Sequence, residues 1–370
     1  MPTYPMTVTA NIGMEETKLS RRVLTALFTD TKKSAEAVNL IYVTDKQPGI
    51  IRRKIGEGYR YLLKGKAVKD QNILLRIKRL VIPPAWEQVW ISPEDNGHLQ
   101  VTGLDTKNRK QYIYHPFWNV LRNQTKFGHM FEFGKALPAI RAQLQKDLQR
   151  QGLPKQKVLA AIVGIMEHTC IRIGSSLYEQ LYGSYGLTTM KNKHVTVSGA
   201  TIKFSFKGKK SVLHDIKMEN RKLANIVSQC IAIPGKDVFQ YYDENGKKRR
   251  IDSGMVNNYI KQISGGCFTA KDFRTWSGTL HALEAFRQLG PATTQNAIKK
   301  NIVTALDMVA ERLGNTRTVC KKYYVHPLVI DHYTNNTLEK YLSKRSRSQE
   351  CNDVQLNESE QLMMKLLKSS

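Results

Sequence analysis

Hydrophobic positions fall into distinct regimes along the chain. Residues 1–34 are polar without a sustained period and are expected to form a loose N-terminal arm. A regular region opens at Leu40 to Val43. Ile73 to Leu80 has the pattern of a short amphipathic helix, which must stop before Ile82-Pro83-Pro84 because proline cannot continue it. Val89 to Ser92, Leu99 to Thr102 and Gln111 to Tyr114 are short apolar runs. Pro93 to Gly97 and Asp105 to Asn108 separate them as turns, which predicts a small antiparallel sheet over residues 35–116.

From about Pro116 the period becomes helical. Leu137, Ile140, Leu144 and Leu148 lie on one face, Gly152-Leu153-Pro154 breaks the helix, and Val158, Ala161, Ile162, Ile165 and Met166 start another. The alternation of Val195 and Val197, then Ile202, Phe204 and Phe206, then Val212, with turns at Gly199 and Gly208, predicts a three-stranded meander. Trp276, Leu280, Leu283 and Phe286 form a further helical stripe ended by Gly290-Pro291. Ile298, Ile302, Leu306, Val309 and Leu313 form the next, ended by Gly314. Beyond residue 332 the chain is polar, with one short stripe at Leu362, Met363, Leu366 and Leu367. The predicted class is α+β. A small N-terminal antiparallel β-rich domain (35–116) precedes a larger, mostly α-helical domain carrying a three-stranded sheet (117–332). A tail with a short helix (333–370) follows. Two such lobes suit a clamp.

Charge narrows the partner. The 370 residues include 58 Lys+Arg against 31 Asp+Glu, a formal net charge of +27. Such an excess favours a polyanion, because each phosphate neutralised by a cation releases counterions. The alternative is a merely solvated basic surface. No apolar run reaches the ~20 residues that span a bilayer, and no signal peptide pattern opens the chain, so a cytoplasmic protein without membrane contact is expected. Five widely spaced cysteines, without a CxxC pair, argue against a disulfide framework or a zinc site.

Familiar catalytic motifs are missing. There is no GxxxxGK[ST] loop, no HExxH, no GxSxG, and the nine histidines never take metal-ligand spacing. No metal or cofactor is expected. Phosphoryl transfer by side chains alone requires a nucleophile, cations on the pentacoordinate transition state and a general acid. Candidates stand at element boundaries: Arg172 in an apolar setting, Lys209 in a hairpin turn, Arg274 near a helix start, Asn315 after Gly314, and Tyr324 after Lys321 and Lys322. Each has a plain alternative. Arg172 and Arg274 suit ion pairs (Asp272 being the near carboxylate), Lys209 an exposed lysine, Asn315 a cap, Tyr324 a core aromatic.

Together these blocks resemble the type IB DNA topoisomerases, particularly the compact bacterial and poxvirus-like members. The matching blocks are Ile82-Pro83-Pro84-Ala85-Trp86, Gly103-Leu104-Asp105, Arg109 to Tyr114, Arg172-Ile173-Gly174, Gly186 to Thr189, Lys193-His194-Val195, Phe206-Lys207-Gly208-Lys209, Lys271 to Thr275, Leu313 to Thr316 and Lys321-Lys322-Tyr323-Tyr324. The resemblance implies that Tyr324 attacks a backbone phosphate to form a 3′-phosphotyrosyl link. Arg172 and Arg274 would stabilise the transition state and Lys209 would protonate the departing 5′ oxygen. The nicked strand would then swivel and be religated without ATP or metal. Asn315 stands where poxvirus and nuclear members carry His. An amide donates a hydrogen bond to phosphate but transfers no proton. The family pattern, not composition, selects Tyr324 over Tyr323. Arg109, Tyr112 and Tyr114 match duplex-contacting cap positions, and Lys271 is a further expected DNA contact. Double-stranded DNA is the expected partner, and one active-site set per chain suits a monomer.

Two rivals stand beside this reading. A tyrosine site-specific recombinase uses the same catalytic set, but usually carries His where Lys271 lies, and lacks the Pro-Pro-Ala-Trp block. A non-catalytic basic DNA-binding protein would need the charge alone.

Overall fold

A computed structural model of the protein describes residue 27, residues 30–342 and residues 354–368. Most of the expected N-terminal arm, and residues 343–353, lie outside the described residues. The chain divides into two compact units between His129 and Met130.

In the first unit Asp30 caps helix α1 (Thr31–Glu36), its carboxylate accepting from the amides of Lys32 and Lys33 at 3.0 and 3.1 Å. The densely basic run after Gly49 forms a hairpin of β1 (Ile50–Ile55) and β2 (Gly58–Leu63), extended by β3 (Lys66–Ala67). Helix α2 (Gln71–Arg79), capped by Asp70, buries Ile77 against Ile50, Val89, Ile91 and Val101. Strands β4 (Glu87–Ile91), β5 (Leu99–Leu104) and β6 (Lys110–Tyr114) complete a six-stranded antiparallel sheet of order β3-β2-β1-β4-β5-β6. The sequence anticipated its last three strands. Within this run Arg52 turns inward. It is buried, and donates to the carbonyl oxygens of Ile82, Pro83 and Trp86. A guanidinium spent on three carbonyls pins the proline-rich loop to the sheet.

Helix α3 (Pro116–Leu148) is 33 residues long and crosses the boundary between the units. In the second unit, α4 (Lys155–Thr169) is buried almost continuously from Val158 to Met166, as expected of a helix surrounded by others. It stops at Cys170, whose φ of +57° turns the chain out of the helix. The short α5 (Ser176–Tyr182) follows. The meander is present as β7 (Val195–Ser198), β8 (Thr201–Lys207) and β9 (Leu213–Glu219), with Phe206 opposite His214. Helix α6 (Arg221–Ala232), a two-stranded ribbon of β10 (Gln240–Tyr242) and β11 (Lys248–Arg250), and α7 (Ser253–Ser264) come next. Helices α8 (Ala270–Leu289) and α9 (Gln295–Leu313) end at Gly290 and Gly314, where the sequence placed their stops. They are followed by α10 (Arg317–Tyr323), α11 (Pro327–Thr334), α12 (Glu339–Leu342) and α13 (Glu358–Lys368).

The apolar stripe of α13 is buried, and Glu360 beside it is only 2% exposed. Its carboxylate accepts from Arg141 at 2.7 and 3.0 Å and from Trp276 Nε1 at 3.1 Å. The polar C-terminal segment therefore contributes a docked helix to the core around α8. The fold is α+β, with antiparallel ladders between all of its described strands.

Candidate active site

Five of the candidate residues come from separate segments of the second unit, with Arg172 on Asn315, Arg274 beside Tyr324, and Lys209 lining one small pocket with Arg172. Arg172 follows the end of α4. Its Nη2 donates to Asn315 Oδ1 at 2.6 Å and to the Gly314 carbonyl at 3.3 Å. Asn315 is fixed in turn by its own amide, which donates to the Ala310 carbonyl at 2.9 Å. That bond is available because Gly314 adopts φ +56° and closes α9 in the left-handed region. Asn315 Nδ2 is buried without a hydrogen-bond partner among the described residues.

Arg274, in the second turn of α8, is 5% exposed. Its Nη1 donates to the Cys170 carbonyl and its Nη2 to the Leu313 carbonyl at 2.9 Å. Its Nε has no partner among the described residues. Asp272 is not its counter-ion. That carboxylate caps α8, accepting from Thr269 N and Oγ1 at 2.8 and 2.9 Å. The Arg274 guanidinium lies 5.2 Å from the centre of the Tyr324 ring. Tyr324 is the first residue past α10. Its amide donates to the Cys320 carbonyl at 2.9 Å and its carbonyl accepts from Thr279 Oγ1 at 3.1 Å. Tyr323 is exposed instead, with Lys322 over its ring.

Lys209 occupies a single 3₁₀ turn between β8 and β9 and is exposed. It lines the same small pocket as Arg172 and His214. Arg172 has its pKa pulled down by burial and then by the positive charge of Arg274, with Tyr324 opposing. Among the described residues neither arginine has a carboxylate partner. Both are held by carbonyl and amide dipoles, which orient a guanidinium without cancelling its charge. The arrangement is thus suited to an anion, with a phenol beside it. Among the described residues no group of three or more His, Cys, Asp or Glu side chains is placed to hold a metal ion.

The family model described as the catalytic core of eukaryotic DNA topoisomerase I matches residues 108–351. A second model, the N-terminal domain of bacterial DNA topoisomerase IB, matches residues 58–105. The chain belongs to the type IB DNA topoisomerases. It is similar to DNA topoisomerase 1B of Acanthamoeba polyphaga mimivirus, with 31% identity over 297 residues, 78% of this chain and 88% of that one. It is similar also to DNA topoisomerase 1 of rabbit fibroma virus, with 24% identity over 65% of this chain and 74% of that one. For DNA topoisomerase 1B of vaccinia virus (strain Copenhagen) the figures are 23%, 70% and 79%.

Other candidates in this type IB topoisomerase lie elsewhere. Lys271 is exposed one turn before Arg274 on α8. Arg109, Tyr112 and Tyr114 belong to the first unit. Arg109 is paired with Asp105 through its Nε at 2.6 Å, and holds that carboxyl down at about 2. Tyr112 is 48% exposed and stacks on the half-buried Tyr114, their centroids 5.9 Å apart.

Two residues near the site were not singled out from the sequence. His214 stacks on Phe206 at 5.0 Å and is so close to Gly314 and Gly208 that an added Cβ would lie 2.2 and 2.6 Å from its ring. It therefore links the Lys209 turn to the Gly314-Asn315 corner. Gly278 in α8 faces Tyr324, where a Cβ would meet the Tyr324 carbonyl oxygen at 2.8 Å. A lone glycine inside a strong helical stripe was the available signal for it. His214 carried no comparable signal.

Proposed function

We propose that this chain relaxes supercoiled duplex DNA by transient cleavage of one strand. Tyr324 Oη gives up its proton to solvent and attacks a backbone phosphorus, the P–O5′ bond breaks, and a 3′-phosphotyrosyl link forms. Lys209 gives its proton to the departing 5′ oxygen. Arg172 and Arg274 hold the non-bridging oxygens as charge accumulates on them, and Asn315 Nδ2 donates a hydrogen bond there. After the strand has swivelled, the 5′ hydroxyl reverses the attack and returns the tyrosine. The phosphoester bond is exchanged, not hydrolysed, so no nucleotide is consumed.

The observation that carries this reading is the pair of uncompensated guanidiniums beside Tyr324, one of them 5.2 Å from its ring. The Arg274 Nε and Asn315 Nδ2 are buried donors without described partners, as a site built to receive phosphate oxygens requires. In the first unit Arg109, Tyr112 and Tyr114 are proposed to touch the duplex, with Lys271 adding a phosphate contact in the second. The enzyme is proposed to act as a monomer, in the cytoplasm or at a nucleoid. The test is plasmid relaxation in EDTA without ATP, with mass spectrometry of the denaturant-trapped adduct. Tyr324→Phe should lose relaxation and adduct while keeping duplex affinity, and Tyr323→Phe should keep all three. An adduct on any other residue, or relaxation that survives Tyr324→Phe, refutes the assignment.

A further inference from the structure

Helix α8 carries a threonine in its interior, where helices do not favour one. β-Branched side chains lose freedom inside a helix, and a hydroxyl there competes for main-chain partners. Thr279 is 0% exposed, so its hydroxyl cannot reach solvent. It makes three contacts instead. One proton is divided between the carbonyl oxygens of Thr275 at 3.0 Å and Tyr324 at 3.1 Å, and the hydroxyl oxygen accepts from the His326 amide at 3.0 Å. The first is the back-bond open to any helical threonine. The other two reach 45 and 47 positions along the chain, to the peptides on either side of the fully buried Val325.

Those peptides continue the main chain of Tyr324, which leaves α10 with φ −129° and ψ −19°. On its N-terminal side the amides of Tyr324 and Val325 both donate to the Cys320 carbonyl, at 2.9 and 3.0 Å, and so tie the segment to α10. On its C-terminal side Thr279 ties it to α8. Arg274 stands on that same helix, its guanidinium 5.2 Å from the Tyr324 ring. One helix therefore carries the guanidinium and also grips the backbone from which the phenol projects.

We infer that Thr279 is a positioning residue for strand transfer. Its hydroxyl locks the main chain of Tyr324 to the helix that carries Arg274, and so fixes where the phenol oxygen stands relative to that guanidinium. Being fully buried, it cannot touch a phosphate and acts through Tyr324. The inference rests on the reading of Tyr324 as the nucleophile. A valine at this position has nearly the same shape but offers neither the His326 amide nor the Tyr324 carbonyl a partner. The segment is then held to α8 by packing alone and shifts relative to Arg274.

The experiment follows single-turnover formation of the covalent adduct on a duplex, with saturating amounts of the full chain and of its Thr279→Val and Thr279→Ser variants. Thr279→Val should slow adduct formation about 10- to 100-fold, with duplex affinity within about twofold of wild type. Thr279→Ser keeps the hydroxyl and should cleave within about threefold of the wild-type rate. The amplitude separates position from folding. A merely destabilised chain forms adduct at the wild-type rate in a smaller fraction of molecules, whereas a displaced tyrosine forms it slowly in all of them. A wild-type rate in Thr279→Val, at full or reduced amplitude, overturns the inference. A Thr279→Ser as slow as Thr279→Val overturns it too, because the hydroxyl is then not what matters. Should Thr279→Val not fold, Thr279→Cys replaces it. A thiol donates and accepts only weakly, so the rate should fall by about tenfold, and an unchanged rate overturns the inference. An adduct that survives Tyr324→Phe refutes the nucleophile and this role with it. A Tyr324-dependent adduct formed at the wild-type rate by Thr279→Val refutes the role of Thr279 alone.

Discussion

Gly278→Ala sets helix propensity against the position of Tyr324, the proposed nucleophile, and the structure says which should prevail. Gly278 lies inside α8. Replacing glycine by alanine in a helix interior stabilises it by about 1 kcal/mol. Here the new Cβ would lie 2.8 Å from the Tyr324 carbonyl oxygen, 3.0 Å from Tyr324 Cβ and 3.1 Å from Leu313 Cδ1. Crowding of this kind in a packed site costs about 1–3 kcal/mol, so the net change in stability should be small and of either sign. The strain falls on the backbone of Tyr324 and on the residue whose carbonyl holds Arg274. A displacement approaching 1 Å at reacting groups costs roughly 100-fold in rate, and a few tenths of an ångström correspondingly less. Single-turnover adduct formation on a duplex should therefore slow about 10- to 100-fold while the melting temperature barely moves. Gly164→Ala is the control. Gly164 lies in α4, and its added Cβ would meet only Leu223 side-chain carbons at 3.6 Å, an ordinary contact. That variant should be more stable by up to about 1 kcal/mol and cleave at the wild-type rate. A folded Gly278→Ala protein that cleaves as fast as wild type refutes the argument that this glycine positions Tyr324.

Two further expectations concern the C-terminal helix and the hairpin. Glu360→Ala strands Arg141 and Trp276 Nε1 in the interior, although Glu167 still holds Arg141 at 2.8 Å. Denaturant titration should show a loss of about 3–5 kcal/mol, and a loss below ~1 kcal/mol would mean that α13 docks through its apolar stripe alone. His214 has its pKa lowered by burial, then by Arg172 and Arg274. A histidine depressed in the folded state stabilises it above the unfolded pKa of about 6.5, and that contribution is lost as pH falls through the folded value. Adduct formation should accordingly decline as pH falls through that lowered value, below the ordinary 6.5. His214→Gln should flatten this acid limb. A limb of wild-type steepness in His214→Gln assigns it to another group, such as the likewise depressed His98 or His194.

The readable parts of the sequence were those where periodicity and a stop signal agreed. Helices α8 and α9 announced themselves by apolar stripes ended at Gly290 and Gly314, and the meander by alternation between glycine turns. The ribbon of β10 and β11 escaped because three residues per strand carry too little alternation to register. The C-terminal stripe was visible, but the ion pair that accompanies its burial joins Arg141 and Glu360, residues 219 positions apart. Arg52 could not be told from its basic neighbours, because a cation consumed by carbonyls looks in sequence like one facing solvent. Arg172 stood out as a charge in an apolar setting and Arg274 as a cation near a helix start. What the sequence withheld was their partners, since main-chain carbonyls leave no residue type to recognise.

That choice of partner bears on catalysis. Had Asp272 paired with Arg274, the site would have been neutralised in advance, and a phosphate would have had to displace a carboxylate. Instead Asp272 is occupied with the N-terminus of α8, and Arg274 rests on the carbonyls at the ends of two other helices, Cys170 after α4 and Leu313 in α9. Helix C-termini carry partial negative charge, so they hold a guanidinium in place at far less than a full counter-charge. The cost is proximity of two like charges, which adds to burial in lowering the pKa of Arg172. A bound phosphate relieves that repulsion, and a pentacoordinate phosphorane with more charge on its oxygens relieves it further. On the proposed mechanism the tension between the arginines would be greatest in the empty site and least in the transition state, the gradient that catalysis requires.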